Sequence, residues 1–438
     1  MPEKLTTPWY ALEIPHARVL YFPLRRAAAI VTPEAADACR KLAQDPQTAL
    51  VEEGARLAAL LCEMGVLGPD PDRSERRGLP DQLTLLPTLS CNLCCSYCYV
   101  SPDPAGDMSP ETMDRIVSSG FARARESGSR FFRISFHGGE AFTRLDLVRR
   151  AVERAKELCR SYGMEARFAA ASNGAFGQEV RSFILENFHG LVLSFDGPKG
   201  VHDSQRPGKA GASSFGLVSE NIRVLSRLGF PLALRMTLTE RSATFVDEAV
   251  QLLAGLGFRG PLLLEPVFAG SGNVSPSVEP SAFLSAFARA FSSGRSSGIR
   301  VSYSPARLSE IVMDYCGAGG ENACVAPDGR VYACLQAAAR GSPEAQEFLI
   351  GDVSTGILRE EGKAAAIRQR IAERREACRG CFAFYHCAGG CPLIQKKPDP
   401  ENDSRCETAR AVLLFLILTR IRESGGLFWR EESPAKPD

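Results

Sequence analysis

The sequence predicts an α/β protein, a partial (β/α)6 barrel of the TIM type with a small α+β element before it and a Cys-rich region after it. Six short apolar runs alternate with helical patterns between residue 83 and about residue 267, which is typical of a parallel sheet covered by crossover helices. A polar connector rich in Pro and charged residues spans 68–78 and marks a boundary. Ten of the fifteen cysteines fall into two spaced arrays.

The N-terminal segment 1–78 is predicted to contain a small hairpin and two helices. Apolar runs at 9–14 and 18–23 indicate strands, and helical spacing covers about 33–44 and 51–65. No basic segment followed by an apolar core is present, so we expect a cytoplasmic protein without a secretory signal. The net charge of +1 gives no reason to expect nucleic-acid or membrane binding. The longest strongly apolar stretch, Ala411 to Leu418, is far shorter than the roughly 20 residues that span a bilayer.

The barrel is assigned to residues 79–300. Its six predicted strands are Leu83–Leu89, Phe131–Phe136, Ala166–Ser172, Leu191–Phe195, Pro231–Thr237 and Pro261–Val267. A further helix is predicted at about 279–292. In folds of this kind the chemistry lies where strands end and loops begin. The residues that follow these strands are therefore the candidate site.

The first cysteine array directly follows the first predicted strand. Cys91, Cys95 and Cys98 have the spacing C-x3-C-x2-C on one loop. Three thiolates on a loop can hold three corners of a [4Fe–4S] cluster and leave one iron open, whereas a closed cluster takes four cysteines. The alternative is a zinc loop or a set of buried structural thiols. Cys94 lies off this spacing, and we expect it to be a bystander.

This spacing, with the aromatic Tyr97 before the last cysteine, resembles the signature of the radical S-adenosylmethionine (SAM) superfamily. The resemblance implies that the open iron chelates SAM and that the reduced cluster cleaves SAM to a 5′-deoxyadenosyl radical. It also implies that the segments ending the later strands contact SAM. The candidate SAM-binding residues are Tyr97, Gly138, Gly139, Glu140, Ser172, Asn173, Ser194, Asp196, Arg206 and Arg235.

Two of these candidates have a specific role in the family pattern. The resemblance assigns the SAM ribose to Ser194 and the SAM carboxylate to Arg206, whose rigid fork can donate two hydrogen bonds. Arg235 is a lone strand arginine that could equally reach solvent. His137 and His202 could be catalytic, although structural hydrogen bonding explains them as well. No catalytic acid or base is assigned.

The second array occupies residues 301–425. Its members are spaced as Cys316-x12-Gly329-x4-Cys334, then Cys378-x2-Cys381-x5-Cys387-x3-Cys391, then Cys406. The pairs from Cys378 to Cys391 alone could form a zinc ribbon. The whole set resembles the SPASM domain, which implies two auxiliary [4Fe–4S] clusters and therefore three clusters in the protein.

Cys324 is the spare candidate ligand. Two closed clusters need eight ligands, and the array provides seven. The segment from Ala326 to Arg330 predicts a three-residue hairpin loop, which puts Cys324 opposite Tyr332 and on the same face as Cys334. A two-residue loop would turn Cys324 to the other face. The alternative is a buried thiol beside a cluster left open for substrate.

SPASM-type radical SAM enzymes act mostly on peptides or proteins and pass an electron through their auxiliary clusters. The resemblance therefore implies a peptide or protein substrate and an electron donor such as flavodoxin or ferredoxin. The N-terminal element looks like a reduced winged-helix module, which binds a leader peptide by adding a strand. We expect a maturase that cross-links or oxidises a ribosomally made peptide, with a polar tail at 426–438.

Two other functions remain open at this point. An anaerobic sulfatase-maturating enzyme makes formylglycine with an aspartate base after the second SPASM cysteine, and this chain has Leu335 there. A non-catalytic iron–sulfur carrier or zinc-binding protein has no need of a SAM pocket. The motifs Gly138–Glu140 and Ser194–Arg206 argue against that reading.

Overall fold

The computed structural model describes residues 7–44, 52–67, 81–100, 106–267, 278–320, 322–340, 343–356, 358–394, 399, 402–425 and 428–430. The strands in these ranges form one sheet of four strands and one of ten. Of the helices in the same ranges, none is long and apolar enough to span a bilayer.

The small sheet contains the N-terminal strands. Strands β1 (Tyr10–Ile14), β2 (Ala17–Phe22) and β3 (Ala27–Val31) are followed by helices α1 (Pro33–Gln44) and α2 (Glu52–Glu63). The predicted hairpin and the two helices are confirmed. The prediction missed β3, because five apolar residues leading straight into a helix show no alternation.

The last strand of the chain, β14 (Phe428–Arg430), pairs antiparallel with β3. Among the described strands the small sheet therefore has the order β1-β2-β3-β14, with β1 at one edge. Three residues of the segment 426–438, for which a polar tail is predicted, form this strand. Trp429 is buried in the main core, and a strand this short has no periodicity from which sequence could find it.

The barrel strands lie side by side in chain order and are all parallel. They are β4 (Gln82–Leu85), β5 (Phe131–Phe136), β6 (Glu165–Ser172), β7 (Gly190–Ser194), β8 (Leu232–Leu238) and β9 (Pro261–Pro266). The short β10 (Arg300–Ser302) adds a parallel strand beside β9. The connecting helices are α3 (Pro110–Glu126), α4 (Leu145–Ser161), α5 (Gln178–Asn187), α6 (Lys199–Gln205), α7 (Phe215–Arg227), α8 (Glu240–Ala243), α9 (Val246–Gly255) and α10 (Pro280–Ser297).

Burial alternates along the barrel strands. In β8, Leu234 and Met236 are fully buried while Arg235 between them is exposed. The buried set packs under the helices: a Cβ on Gly120 of α3 would lie 3.0 Å from Cδ2 of Leu83. The opposite face of the sheet, here called the inner face, carries Ser135, Arg235 and Glu265. The predicted partial barrel is confirmed.

The C-terminal region continues the large sheet. Strand β11 (Cys324–Val325) pairs parallel with β4, and β12 (Arg330–Tyr332) and β13 (Leu349–Asp352) follow antiparallel. The helices are α11 (Leu335–Arg340), α12 (Pro343–Gln346), α13 (Glu361–Ala377), α14 (Phe384–Cys387) and α15 (Ser404–Glu423). The apolar stretch 411–418 lies within α15. The prediction missed α13, whose buried residues are only Ala364, Ile367 and Arg374.

The N-terminal sheet is fixed to the C-terminal region. One face of β2, with Val19 and Tyr21, belongs to the main core, whereas Leu20 and Phe22 pack with α1 and α2. The Tyr21 hydroxyl donates to Nε2 of His386 at 2.5 Å, since Nδ1 of that ring faces two backbone carbonyls. The N-terminal element and the second cysteine array therefore share one interface.

Candidate active site

The first cysteine loop leaves β4 and is fixed to the end of α6. The backbone N–H of Cys94 donates to the carbonyl of Pro207 at 2.8 Å, and that of Ser96 donates to Gln205 at 3.0 Å. Cys94 is exposed, whereas Cys91, Cys95 and Cys98 are half-buried. The backbone thus separates the three motif thiols from their exposed neighbour.

Polar groups of the protein are directed at the motif thiols. The Leu93 N–H lies 3.4 Å and Nδ2 of Asn173 lies 3.5 Å from Sγ of Cys91, and Nη1 of Arg206 lies 3.8 Å from Sγ of Cys95. Burial raises the pKa of Cys95 to about 12, so a thiolate here needs a cation such as cluster iron. Such hydrogen bonds to sulfur are typical of iron–sulfur sites, and the donor set fits a cluster held by three cysteines.

Gly138 and Gly139 bring the second strand end against the segment that leads to Cys91. A Cβ at Gly138 would lie 2.3 Å from the carbonyl oxygen of Thr88, and one at Gly139 would lie 2.3 Å from those of Leu89 and Ser90. Gly138 also has a φ of +131°, a conformation that favours glycine. The glycines therefore permit a close approach to this backbone, which a side chain at either position would prevent.

Glu140 is a buried hydrogen-bond acceptor at the same edge. Its carboxylate accepts from Oγ of Ser172 at 3.0 Å, from the N–H of Asn173 at 2.7 Å and from the N–H of Phe142 at 3.2 Å. Burial raises its pKa, and these donors oppose that effect. Because Asn173 also contacts Cys91, Glu140 positions the cysteine loop through its neighbours.

Asp196 is a second acceptor, fully buried, on the other side of the loop. Oδ2 accepts from Nε of Arg206 at 2.9 Å, from Nε2 of Gln205 at 2.9 Å and from the Tyr97 hydroxyl. Oδ1 accepts from the N–H of Thr237 at 3.0 Å. The sequence predicted Tyr97, Asp196 and Arg206 as SAM contacts, and the structure brings these three side chains together. Gln205 was missed, because only the fold brings it to Asp196.

His202 fixes the backbone of Asp196. The Asp196 N–H donates to Nδ1 of His202 at 3.2 Å, and the ring contacts those of Phe195 and Phe215. Burial lowers the pKa of His202 to about 4, so the imidazole is neutral near pH 7. This geometry corresponds to the structural role that the sequence left open.

Ser194 ends β7, His137 directly follows β5, and Arg235 lies in the middle of β8. Ser194 and Arg235 are in register across β7 and β8, and Arg235 is on the inner face. Nε2 of His137 is 3.0 Å from Oγ of Ser135, and burial followed by the charge of Arg235 lowers the His137 pKa to about 4. His137 and Arg235 are therefore close enough to interact electrostatically.

The second cysteine array divides into two groups by electrostatic contact. The Cys378 and Cys387 thiols interact with Cys381 and Cys406, which gives four thiols. Cys316 and Cys334 interact with Cys391, which gives three. Arg374 is buried, donates to the carbonyl of Gly389 at 2.8 Å and interacts with members of both groups. The division fits one complete ligand set and one that is short by one thiol.

Cys324 lies beside the incomplete group. The predicted pairing of Cys324 with Tyr332 is confirmed, with a three-residue loop in which Gly329 has a φ of +85°. Cys324 is 2% exposed and interacts electrostatically with Cys334 and Cys316. Its thiol also hydrogen-bonds with Thr84 of β4. The strand register allows Cys324 to ligate the cluster of the incomplete group. The hydrogen bond to Thr84 fits the alternative, in which Cys324 is a buried thiol that binds no iron.

Within the described ranges, no three His, Cys, Asp or Glu side chains lie close enough together to bind one metal ion. The cysteines of a cube bind different irons and stand farther apart than the ligands of a single ion. The fit of the second array to two clusters therefore depends on its division into the two groups of thiols.

Known proteins were compared with the sequence and the structure. No family model matches the chain. A cysteine-type anaerobic sulfatase-maturating enzyme of Clostridium perfringens is 24% identical over 355 residues, 75% of this chain and 92% of the relative. A serine-type enzyme of Bacteroides thetaiotaomicron is 30% identical over 148 residues, so the match spans only 34% of that relative. The sporulation killing factor maturation protein SkfB of Bacillus subtilis is 28% identical over 189 residues, 41% of each chain.

Two solved structures share the architecture. Native anSMEcpe with bound AdoMet has a TM-score of 0.63 at 20% identity and covers 78% of this chain and 99% of its own. Streptococcus suis SuiB bound to its precursor peptide SuiA has a TM-score of 0.54 at 13% identity and covers 92% and 99%. The resemblance to radical SAM enzymes of the SPASM type is confirmed. At these identities the structural likeness establishes the radical SAM fold, and the substrate has to be argued from the site.

Proposed function

We propose that the chain is a radical SAM enzyme that modifies a ribosomally made peptide by cross-linking it or oxidising a side chain. The observation that carries the proposal is the first cysteine loop, whose thiols receive hydrogen bonds from Asn173 and Arg206. When bound, the cluster there supplies the electron that cleaves SAM. An electron carrier without catalysis has no use for this arrangement.

The side chains around the loop have separate tasks in this proposal. Cys91, Cys95 and Cys98 hold the cluster, and the carboxylates of Glu140 and Asp196 position the surrounding backbone and side chains. Ser194, Arg206 and Arg235 are left as the side chains that bind SAM. Because His137 is neutral near pH 7, it adds no second positive charge beside Arg235.

The second array holds two auxiliary clusters in this proposal, so that the protein contains three. Cys378, Cys381, Cys387 and Cys406 form one complete set. Cys316, Cys334 and Cys391 form the other, with Cys324 as its fourth member. An external donor such as flavodoxin or ferredoxin supplies the electrons.

A peptide substrate is supported by two neighbours in the comparisons. SuiB is bound to its precursor peptide SuiA, and anSMEcpe is bound to a Cp18Cys peptide. In this chain β14 covers the β3 edge of the small sheet, which leaves β1 as the strand that a leader segment could extend. We assign leader binding to the β1 edge.

Formylglycine formation is the second candidate function. Its support is the C. perfringens relative, whose match covers 92% of that enzyme. Leu335 stands where those enzymes carry an aspartate base, and a leucine cannot accept a proton. We therefore rank peptide maturation first.

The test uses anaerobically reconstituted protein with SAM and a chemical reductant. The Cys91→Ala, Cys95→Ala, Cys98→Ala triple variant should lose 5′-deoxyadenosine formation and retain about eight of about twelve iron atoms. The matched control is Cys94→Ala, which removes a neighbouring thiol and should change neither quantity. Parent-level 5′-deoxyadenosine from the triple variant would contradict the proposal. Mass spectrometry of co-expressed precursor or sulfatase peptides then separates the two candidate functions.

A further inference from the structure

An arginine near the active site has buried donors without an acceptor. Among the residues that the structure describes, no acceptor lies within hydrogen-bond distance of Nε or Nη2 of Arg340, the last residue of α11. Oε1 of Gln336, four residues earlier on the same helix, is buried and unpartnered as well. A buried guanidinium without an acceptor is costly, and in native proteins such groups are paired.

Arg340 lies between the two cysteine arrays. Its guanidinium carbon is 5.9 Å from the centre of the Tyr99 ring, and Tyr99 directly follows Cys98 of the first array. The Tyr99 hydroxyl interacts electrostatically with Arg235 and Arg340 and with the thiols of Cys98 and Cys334. Tyr99 and Arg340 therefore lie beside thiols of both arrays.

Arg340 and Arg235 place positive charge beside Tyr99. In the parts of the chain that the structure describes, no carboxylate forms an ion pair with Arg340 or Arg235. Arg370, another arginine that lies over an aromatic ring, does have such a partner: it contacts the Phe348 ring at 5.2 Å and pairs with Glu347 at 2.5 Å. The contrast indicates that the acceptor for Arg340 comes from outside the chain.

We propose that Arg340 and Gln336 bind a carboxylate of the peptide substrate and the N–H beside it. The arginine fork donates two parallel bonds to the carboxylate, which a lysine cannot do. The acceptor of Gln336 takes the neighbouring N–H. The carboxylate belongs either to an Asp or Glu side chain or to the C-terminus of the peptide. This inference names the substrate class and rests on the proposed peptide-modifying function.

Binding of three short peptides to the reconstituted protein tests the inference. The probes are acetyl-Ala-Glu-Ala-amide, acetyl-Ala-Gln-Ala-amide and acetyl-Ala-Gln-Ala with a free C-terminal carboxylate, titrated calorimetrically without oxygen. At least one carboxylate peptide should bind about tenfold or more tightly than the neutral peptide, as charge-assisted bonds require. Preference for the Glu peptide identifies a side-chain carboxylate, and preference for the free C-terminus identifies a terminal one.

Variants at position 340 assign the preference to the side chain. Arg340→Gln should reduce it to less than about twofold, and Arg340→Lys should keep only part of it. Arg370→Gln is the matched control, because it removes a stacked arginine whose carboxylate is internal. It should leave the preference unchanged.

Three results would overturn the inference. They are equal binding of all peptides to the parent, an unchanged preference in Arg340→Gln, and an altered auxiliary-cluster resonance signal in Arg340→Gln, which would assign this arginine to the cluster. Formation of 5′-deoxyadenosine without peptide should be normal in the variant. If the parent itself forms none, the proposed function fails, while the binding preference still reports on Arg340.

Discussion

The two cysteine arrays are built in different ways. The first lies on a single loop, and buried acceptors of the barrel position the groups around it: Glu140 through Asn173, and Asp196 through Arg206. The second is collected from separate segments, with Cys316 before a hairpin and Cys406 on α15. Side chains of the barrel thus position the first site, whereas the ligands of the second come from segments that are far apart in the chain. The cysteine spacings of the two arrays are equally specific in the sequence. The protein nevertheless arranges the ligands of the first array more fully than those of the second before a cluster binds.

The largest test of this contrast is removal of the Asp196 carboxylate. Asp196→Ala leaves the Arg206 guanidinium buried without its partner, which should lower the free energy of unfolding by about 3–5 kcal/mol. Glu220→Gln, which breaks the solvent-exposed pair with Arg223, should have a much smaller effect on the free energy of unfolding, because solvent screens that pair. Urea unfolding of both variants measures the difference. Similar losses would mean that the barrel does not depend on this carboxylate.

A smaller effect is expected from pH through His202. Burial holds the folded-state pKa at about 4, below the ordinary value of 6.5. The stabilisation from the neutral ring is complete above pH 6.5 and is lost as the pH falls toward 4. Between pH 6.5 and 5 this should amount to about 2 kcal/mol. His202→Asn keeps an acceptor for the Asp196 N–H but does not titrate, so the slope of stability against pH should be shallower. An equal slope would rule out this histidine as the source.

Iron removal should separate the two arrays. In the chelated protein, amide hydrogens around Cys316 and Cys378 to Cys391 should exchange about tenfold faster than in the loaded protein, because bound clusters stabilise only the folded arrangement. Strands β5 to β8 should change by less than about threefold. Hydrogen exchange with mass spectrometry reads both regions in one experiment. Equal acceleration in both would remove the distinction drawn here.

The smallest effect concerns Cys324. If its thiol completes the group of Cys316, Cys334 and Cys391, Cys324→Ser should alter one auxiliary-cluster signal and leave the signal of the first cluster unchanged. Cys159→Ser, another buried thiol outside both arrays, is the matched control. If the resonance spectra and the iron content are identical to those of the parent, Cys324 binds no cluster and is a buried thiol that is bonded to Thr84.

Sequence predicted the barrel well because local patterns encode it. Each strand–helix unit carries its own alternation, and chain order equals spatial order from β4 to β9. The hairpin at Gly329 was also predictable, because a turn sequence fixes its register. Strand β14 and the join of β11 to β4 could not be predicted, since pairing between distant short strands has no local signature.

The same division holds for the site. Motif spacing identified the cysteines and placed Asp196 and Arg206 near them. It did not indicate that these two bind each other, nor that Gln205 and the N–H of Thr237 join them. Arg340 went unnoticed because a single arginine at the end of a short alanine-rich helix has no pattern. Its environment became visible only once Tyr99 and Cys334 were placed around it.

The pairing of β14 with β3 also bears on how the chain is made. A ribosome releases β1, β2 and β3 early, but their sheet stays incomplete until residues 428–430 have emerged. Until then the β3 edge presents unpaired backbone groups to any extended segment nearby. The entropic cost of closing a loop grows only with the logarithm of its length. The long separation of β3 and β14 in the chain therefore adds little to the free-energy cost of their pairing. The N-terminal sheet should therefore be among the last parts of the molecule to reach its final form during synthesis.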